Sequence, residues 1–223
     1  MKKKKKNKEG HFAPRKFVAG EVVAAVAFVA ILGVSFTTQI DRMPVSSGQP
    51  VIVAFGDSIT TGFGLPPEAE TYVDILSREL KIPVINAGRT GDTTGKAFAR
   101  LERDVLSRNP NIVLILLGGN DFLERIPLAI TSANLRQMIT VIQDRGARVI
   151  LMGLNMEFIP QYEEEYRDVA QEKLVAGYVP GVLDGIISSA DLLSDEIHPN
   201  ERGHQVIAER ILPVLRSALK TLP

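Results

Sequence analysis

The chain contains no cysteine. That excludes a disulfide framework, a thiol nucleophile, a Cys-ligated zinc or iron–sulfur centre and a lipid-modified N-terminal cysteine. Histidine is scarce, with three in 223 residues. Net charge is absent as well, because 26 Lys and Arg balance 26 Asp and Glu. That zero conceals an asymmetry. Residues 1–16 hold eight basic residues and one acid, Glu9, whereas the remainder holds 18 bases against 25 acids, a net of −7. A nucleic-acid-binding domain carries its positive charge on the folded part. A basic end on an acidic body therefore argues against nucleic acid as a partner. Hydrophobic residues at 45% and charged residues at 23% are ordinary globular values, so wholesale disorder and fibrous repeats are also excluded.

One long hydrophobic run is present, and it lies at the N-terminus. Lys2 to Lys6, Lys8, Arg15 and Lys16 precede an apolar stretch from Phe17 to Phe36 whose one charge is Glu21. At about 1.5 Å per residue this stretch is long enough to cross a bilayer. Glu21 lies near the basic end, where it can reach the headgroups or pair with Arg15 or Lys16. The residues that follow, Val34 to Asp41, offer no good small-x-small cleavage site; Ser35-Phe36-Thr37 comes nearest. The reading is therefore a basic cytoplasmic tail over 1–16 and an uncleaved transmembrane anchor over 17–38, with a cleaved, secreted form as the alternative. The charge bias places everything after the anchor across the membrane. Residues 39–50 read as a linker, since Arg42 to Pro50 contains two prolines, a glycine and two serines.

Residues 51–223 make one domain of 173 residues. Short apolar runs alternate with helical spacing. The runs are Val51–Phe55, Ile82–Ile85, Ile112–Leu117 and Arg148–Met152. Helical spacing covers Thr71–Leu80, Gly95–Ser107, Ala129–Arg145, Tyr162–Gly177 and a last helix capped by Asn200 and running to about Leu219. Charge-poor strands joined by amphipathic helices predict an α/β domain with a mainly parallel sheet. In such sheets ligands bind beyond the carboxyl ends of the strands. The segments there are Gly56-Asp-Ser-Ile-Thr60, Asn86-Ala-Gly-Arg-Thr-Gly-Asp-Thr93 and Gly118-Gly-Asn-Asp121.

Ser58 follows the first run in a glycine-containing turn, and a serine needs a base to become a nucleophile. His11 lies in the basic tail, and His204 sits at helical spacing from Ile207 and Ile211, as a packing residue would. His198 precedes the last helix, with Asp195 three residues earlier. There the carboxylate can accept the imidazole Nδ1–H while Nε2 faces Ser58. Oxyanion donors, worth about 3 kcal/mol each, are available from the Ser58 N–H, from a backbone N–H in the glycine loop after the second strand, and from the Asn120 amide.

The four blocks Phe55-Gly-Asp-Ser-Ile-Thr-Thr-Gly-Phe-Gly64, Asn86 to Thr93, Leu117-Gly-Gly-Asn-Asp121 and Asp195-Glu-Ile-His198-Pro resemble those of the SGNH (GDSL-type) serine hydrolases, and the resemblance spans nearly all of 51–223. It implies a flavodoxin-like three-layer α/β/α fold. It also implies Ser58 as nucleophile, His198 as base, Asp195 as its orienting partner, and Gly91, rather than its rival Gly88, as the glycine of the oxyanion hole beside Ser58 and Asn120. The subgroup it resembles most is that of bacterial arylesterases, thioesterases and lysophospholipases. The activity implied is hydrolysis of acyl esters or thioesters with no metal or organic cofactor, by a monomer acting on a small-molecule or lipid substrate. A carbohydrate or peptidoglycan O-acetylesterase and a tethered, non-catalytic binding protein are the alternatives. Ile59 stands where the family's name has leucine, a volume-conserving exchange. Phe122, Leu123, Met156 and Phe158 fall in the loops expected to line the substrate pocket.

Overall fold

Apolar runs with both faces covered become the central strands, as expected for a parallel sheet enclosed by helices. The computed structural model describes residues 48–155 and 160–222. In chain order its elements are β1 (Ile52–Gly56), α1 (Ser58–Thr61), α2 (Tyr72–Leu80), β2 (Val84–Gly88), α3 (Thr94–Asp104), β3 (Ile112–Leu116), α4 (Gly119–Leu123), α5 (Leu128–Asp144), β4 (Arg148–Met152), α6 (Gln161–Glu172), β5 (Gly177–Val179) and α7 (Glu201–Lys220). Every residue of β1 and β3 is buried. The five strands are parallel in the order β2-β1-β3-β4-β5. Helices α2 and α7 pack together in one layer, while α3, α5 and α6 form the other. The expected three-layer α/β architecture is therefore present. The expected transmembrane segment lies outside the described residues, among which no helix is long and apolar enough to cross a membrane.

Strand order decides where a site can form. The chain leaves β1 for β2 on one side and returns to β3 on the other. The crevice beyond the carboxyl ends of β1 and β3 is the topological switch point of such a sheet. Two one-turn helices stand there, α1 and α4, where the sequence reading has loops.

Two further boundaries differ from those the spacing predicts. The second strand runs to Gly88 rather than Ile85, which carries it to the edge of the glycine loop. The charged helix read as Tyr162–Gly177 stops at Glu172, and Gly177–Val179 forms a fifth strand against Ile150–Met152. The chain turns at Leu174, whose φ is +48°. It then passes so close to α7 that a Cβ on Gly177 would lie 2.4 Å from Val214 Cγ1. Helix capping follows the sequence more closely. Thr71 and Asp74 form a reciprocal capping box at α2, and the Asn200 side chain accepts from the Gly203 N–H at 3.1 Å at the start of α7.

His204, on α7, is fully buried. Its Nδ1 accepts from the Tyr72 N–H at 3.0 Å and its ring stacks on Tyr72, joining α7 to α2. Burial pushes its pKa down to about 4, so the folded protein keeps it neutral. A histidine depressed in the folded state contributes stability above about pH 6.5 that is lost as the pH falls towards 4, about 3 kcal/mol for this shift. His204→Phe keeps the stacking but does not titrate. Urea denaturation should show the variant less stable than wild type at pH 7, with the gap narrowing by about 3 kcal/mol at pH 4. A gap that stays constant with pH would mean that His204 is protonated in the fold without cost.

Candidate active site

Ser58 is the first residue of α1, directly beyond β1, and it is 8% exposed. The turn that presents it is held by Asp57. That side chain caps α1 by accepting from the Ile59 N–H at 3.0 Å, and the Asp57 carbonyl accepts from the Thr61 N–H at 3.1 Å. His198 approaches from the loop before α7. An antiparallel bridge between Leu193 and Pro199 closes that loop, and the His198 carbonyl accepts from both the Ser194 N–H (2.8 Å) and the Ser194 hydroxyl (3.1 Å). His198 Nε2 lies 3.1 Å from Ser58 Oγ. On the other side of the ring, Nδ1 lies 2.7 Å from Asp195 Oδ2. A carboxylate can only accept, so Nδ1 carries the ring proton and the Nε2 lone pair faces the serine hydroxyl.

Asp195 is itself fixed. Its Oδ1 accepts from the Ile197 N–H at 2.9 Å and from the His198 N–H at 2.8 Å. These bonds, the one from Ile197 first, hold its carboxyl down at about 2. It therefore stays an anion at neutral pH. The Phe63 ring lies 4.7 Å from the imidazole.

The expected oxyanion donors come from three adjacent strand ends. Neither the Ser58 N–H nor the Gly91 N–H has an acceptor among the described residues. Gly91 is the third residue of a turn closed by the Asp92 N–H donating to the Arg89 carbonyl at 3.2 Å. Its φ of +78° is the conformation that favours glycine there. Gly88, the rival, ends β2, and its N–H is already given to Asn86 Oδ1 at 2.9 Å. Asn120 lies in the first turn of α4. Its Nδ2 donates to the Asp92 carbonyl at 2.9 Å and, at longer range, to Asp57 Oδ2 at 3.3 Å. The turn into α4 needs Gly118, whose φ is +116°. A Cβ there would sit 1.8 Å from Tyr166 Oη, the hydroxyl that donates to the Leu117 carbonyl.

Buried charges hold these ends together, and the sequence reading gives them no role. Arg100 of α3 is 5% exposed. Its Nε donates to Asp92 Oδ2 at 2.5 Å, and its two terminal nitrogens reach the Ala87 carbonyl at 2.9 Å and the Gly56 carbonyl at 3.0 Å. The same guanidinium lies 4.5 Å from the centre of the Phe55 ring. Asp121, fully buried, accepts from the Thr94 N–H (2.8 Å), the Thr94 hydroxyl (2.5 Å) and the Thr131 hydroxyl (3.1 Å), fixing α4 to α3 and α5. Asp57 is 4% exposed, and burial pushes its pKa up to about 6. A carboxyl raised in the folded state favours folding below about pH 4, and that advantage is lost as the pH rises through 6. At neutral pH, then, Asp57 is ionised at some cost to the fold. A signal was available in the sequence for Asp57, within Gly56-Asp-Ser58. For Arg100 there was none, because an arginine on an amphipathic helix reads as solvated.

Around this crevice, Phe63 (49%), Leu123 (56%) and Ile197 (40%) are exposed, and Phe122 (36%) meets Tyr162 edge-on. Met156 and Phe158 lie outside the described residues. His204, being buried and bonded to Tyr72, is no part of the site.

A model of the GDSL-like lipase/acylhydrolase family matches residues 54–206. An arylesterase of Vibrio mimicus is 30% identical over 177 residues, covering 74% of this chain and 87% of that protein. Esterase TesA of Pseudomonas aeruginosa is 31% identical over 181 residues, covering 75% of this chain and 89% of that protein. The crystal structure of TesA aligns with a TM-score of 0.70 at 29% identity, covering 75% of this chain and 99% of that one. The chain belongs to the GDSL-like lipase/acylhydrolase family and is an ester-hydrolysing enzyme.

Proposed function

We propose that the enzyme cleaves carboxylic esters and thioesters through an acyl-enzyme on Ser58, with His198 as general base and Asp195 as its orienting partner. The observation that carries this reading is the hydrogen-bonded line from Ser58 Oγ through His198 to Asp195, with separations of 3.1 and 2.7 Å. In the first step Ser58 Oγ attacks the acyl carbon as its proton passes to His198 Nε2. The carbonyl π electrons move onto oxygen, where the Ser58 N–H, the Gly91 N–H and the Asn120 amide receive the charge. The tetrahedral adduct collapses, and the leaving alcohol or thiol takes the proton from His198. Water then attacks the acyl-enzyme, giving its proton to the same nitrogen, and the acid departs as Ser58 Oγ regains a proton. The exposed apolar side chains Phe63, Phe122, Leu123 and Ile197 support an apolar acyl group as the substrate portion that docks beside Ser58.

We also propose, from the N-terminal sequence, that the enzyme is tethered to a membrane. The apolar stretch Phe17 to Phe36 serves as an uncleaved anchor, with the lysines in the cytoplasm and the hydrolase outside.

A fluorophosphonate should label Ser58, and Ser58→Ala and His198→Ala should each lower kcat for p-nitrophenyl esters by about 1000-fold or more, with the fold intact. An active His198→Ala would remove it as the base. Asn120→Ala should lower kcat by about 100-fold with a smaller change in KM, because its donor is aimed at charge that develops in the transition state. An unchanged kcat would take Asn120 out of the oxyanion hole. For the anchor, the protein should stay with membranes through a carbonate wash, and the mature chain should begin at Met1 or Lys2. A mature N-terminus after residue 35 would replace the anchor with a cleaved signal.

A further inference from the structure

Asp57 does more than a helix cap requires. A cap needs one oxygen acceptor, which serine, threonine or asparagine supplies equally well. Asp57 Oδ1 fills that role towards the Ile59 N–H. Its Oδ2 faces Asn120 Nδ2 at 3.3 Å, across the gap between the ends of β1 and β3. The whole carboxyl is buried, and its ionisation is disfavoured there. A neutral capping residue would avoid that cost.

The Asn120 amide has two nearly isosteric ends, and its neighbours decide which one faces them. Here both neighbours are acceptors, the Asp92 carbonyl and Asp57 Oδ2. Flipping the amide would set three oxygens against one another, so the NH2 end is held in place. The bond to Asp92 is of ordinary length, whereas the one to Asp57 is long. One amide hydrogen is thus firmly fixed, and the other is held loosely enough to be shared with an incoming oxygen. The peptide unit joining Asp57 to Ser58 also carries the Ser58 N–H. One residue therefore governs the spacing of two donors, the first through its main chain and the second through its side chain.

We propose that Asp57 is a positioning residue, whose carboxylate fixes the orientation of the Asn120 amide relative to the Ser58 N–H before substrate arrives. This rests on the reading of Asn120 as an oxyanion donor. Asp57→Asn replaces the acceptor facing Asn120 by a donor. Asp57→Ser keeps a capping oxygen but lacks the second acceptor. Each is made in the wild-type and the Asn120→Ala backgrounds, and kcat and KM for p-nitrophenyl butyrate are measured per site reactive to fluorophosphonate, so that unfolded protein is not counted.

Both substitutions should lower kcat by about 10-fold or more with KM changed less than about threefold. In the Asn120→Ala background they should lower kcat less than about twofold, because the group through which Asp57 acts is gone. Wild-type kcat in both Asp57 variants overturns the proposal. So does a loss of equal size in the two backgrounds, which would make Asp57 independent of Asn120. If Asn120→Ala itself keeps full kcat, or wild type takes no label at Ser58, the underlying reading fails and the proposal falls with it. That result is distinct from a slow Asn120→Ala beside fully active Asp57 variants.

Discussion

A buried guanidinium holds together the edge of the sheet on which the candidate site stands. Arg100 bridges the carbonyls at the ends of β1 and β2 and neutralises Asp92 in the glycine loop. The Asp92 carbonyl in turn receives the Asn120 amide from the third strand end. Without this bridge, the buried Asp92 carboxylate would lose the cation it is paired with. Removing one partner of such a pair strands the other charge and costs about 3–5 kcal/mol. Parallel strands alone bring Ser58, Gly91 and Asn120 to the same side of the sheet. Arg100 and its partners give those strand ends a fixed spacing.

The site is built at the expense of stability in one place and repaid in others. Asp57 is ionised at neutral pH although burial opposes it. Asp121, also fully buried, has its oxygens satisfied by three donors. On the far side of the crevice, Asp195 is more exposed and is held as an anion chiefly by the Ile197 N–H. The histidine between that anion and Ser58 is thereby fixed in one tautomer and one direction. Three carboxyls thus serve one site from three different environments.

Much of this was legible in the sequence. The runs Val51–Phe55, Ile112–Leu117 and Arg148–Met152 are largely apolar because both faces of the sheet are covered, and they stand out as continuous apolar runs for that reason. Ser58 stands out because it follows a strand in a glycine-containing turn, and His198 because Asp195 lies three residues before it in the loop ahead of the last helix. Gly177–Val179 was hidden, because the break at Leu174 comes from a residue with strong helix preference and the strand forms through packing against α7. The one-turn helices α1 and α4 are too short to show a period. Arg100 and Asp92 are eight residues apart on different elements, and only the folded chain brings them together. The membrane anchor rests on the sequence alone, since Phe17 to Phe36 lies outside the described residues.

The most direct test of the central claim, that Ser58, Gly91 and Asn120 converge on one developing charge, is a crystal structure of the enzyme inactivated by an alkyl fluorophosphonate. The expected adduct is a phosphorus–oxygen bond to Ser58 Oγ. Its phosphoryl oxygen should lie about 3 Å from the Ser58 N, the Gly91 N and Asn120 Nδ2, with His198 still bonded to Asp195. A phosphoryl oxygen turned away from Gly91 and Asn120, or an adduct on another residue, would contradict it.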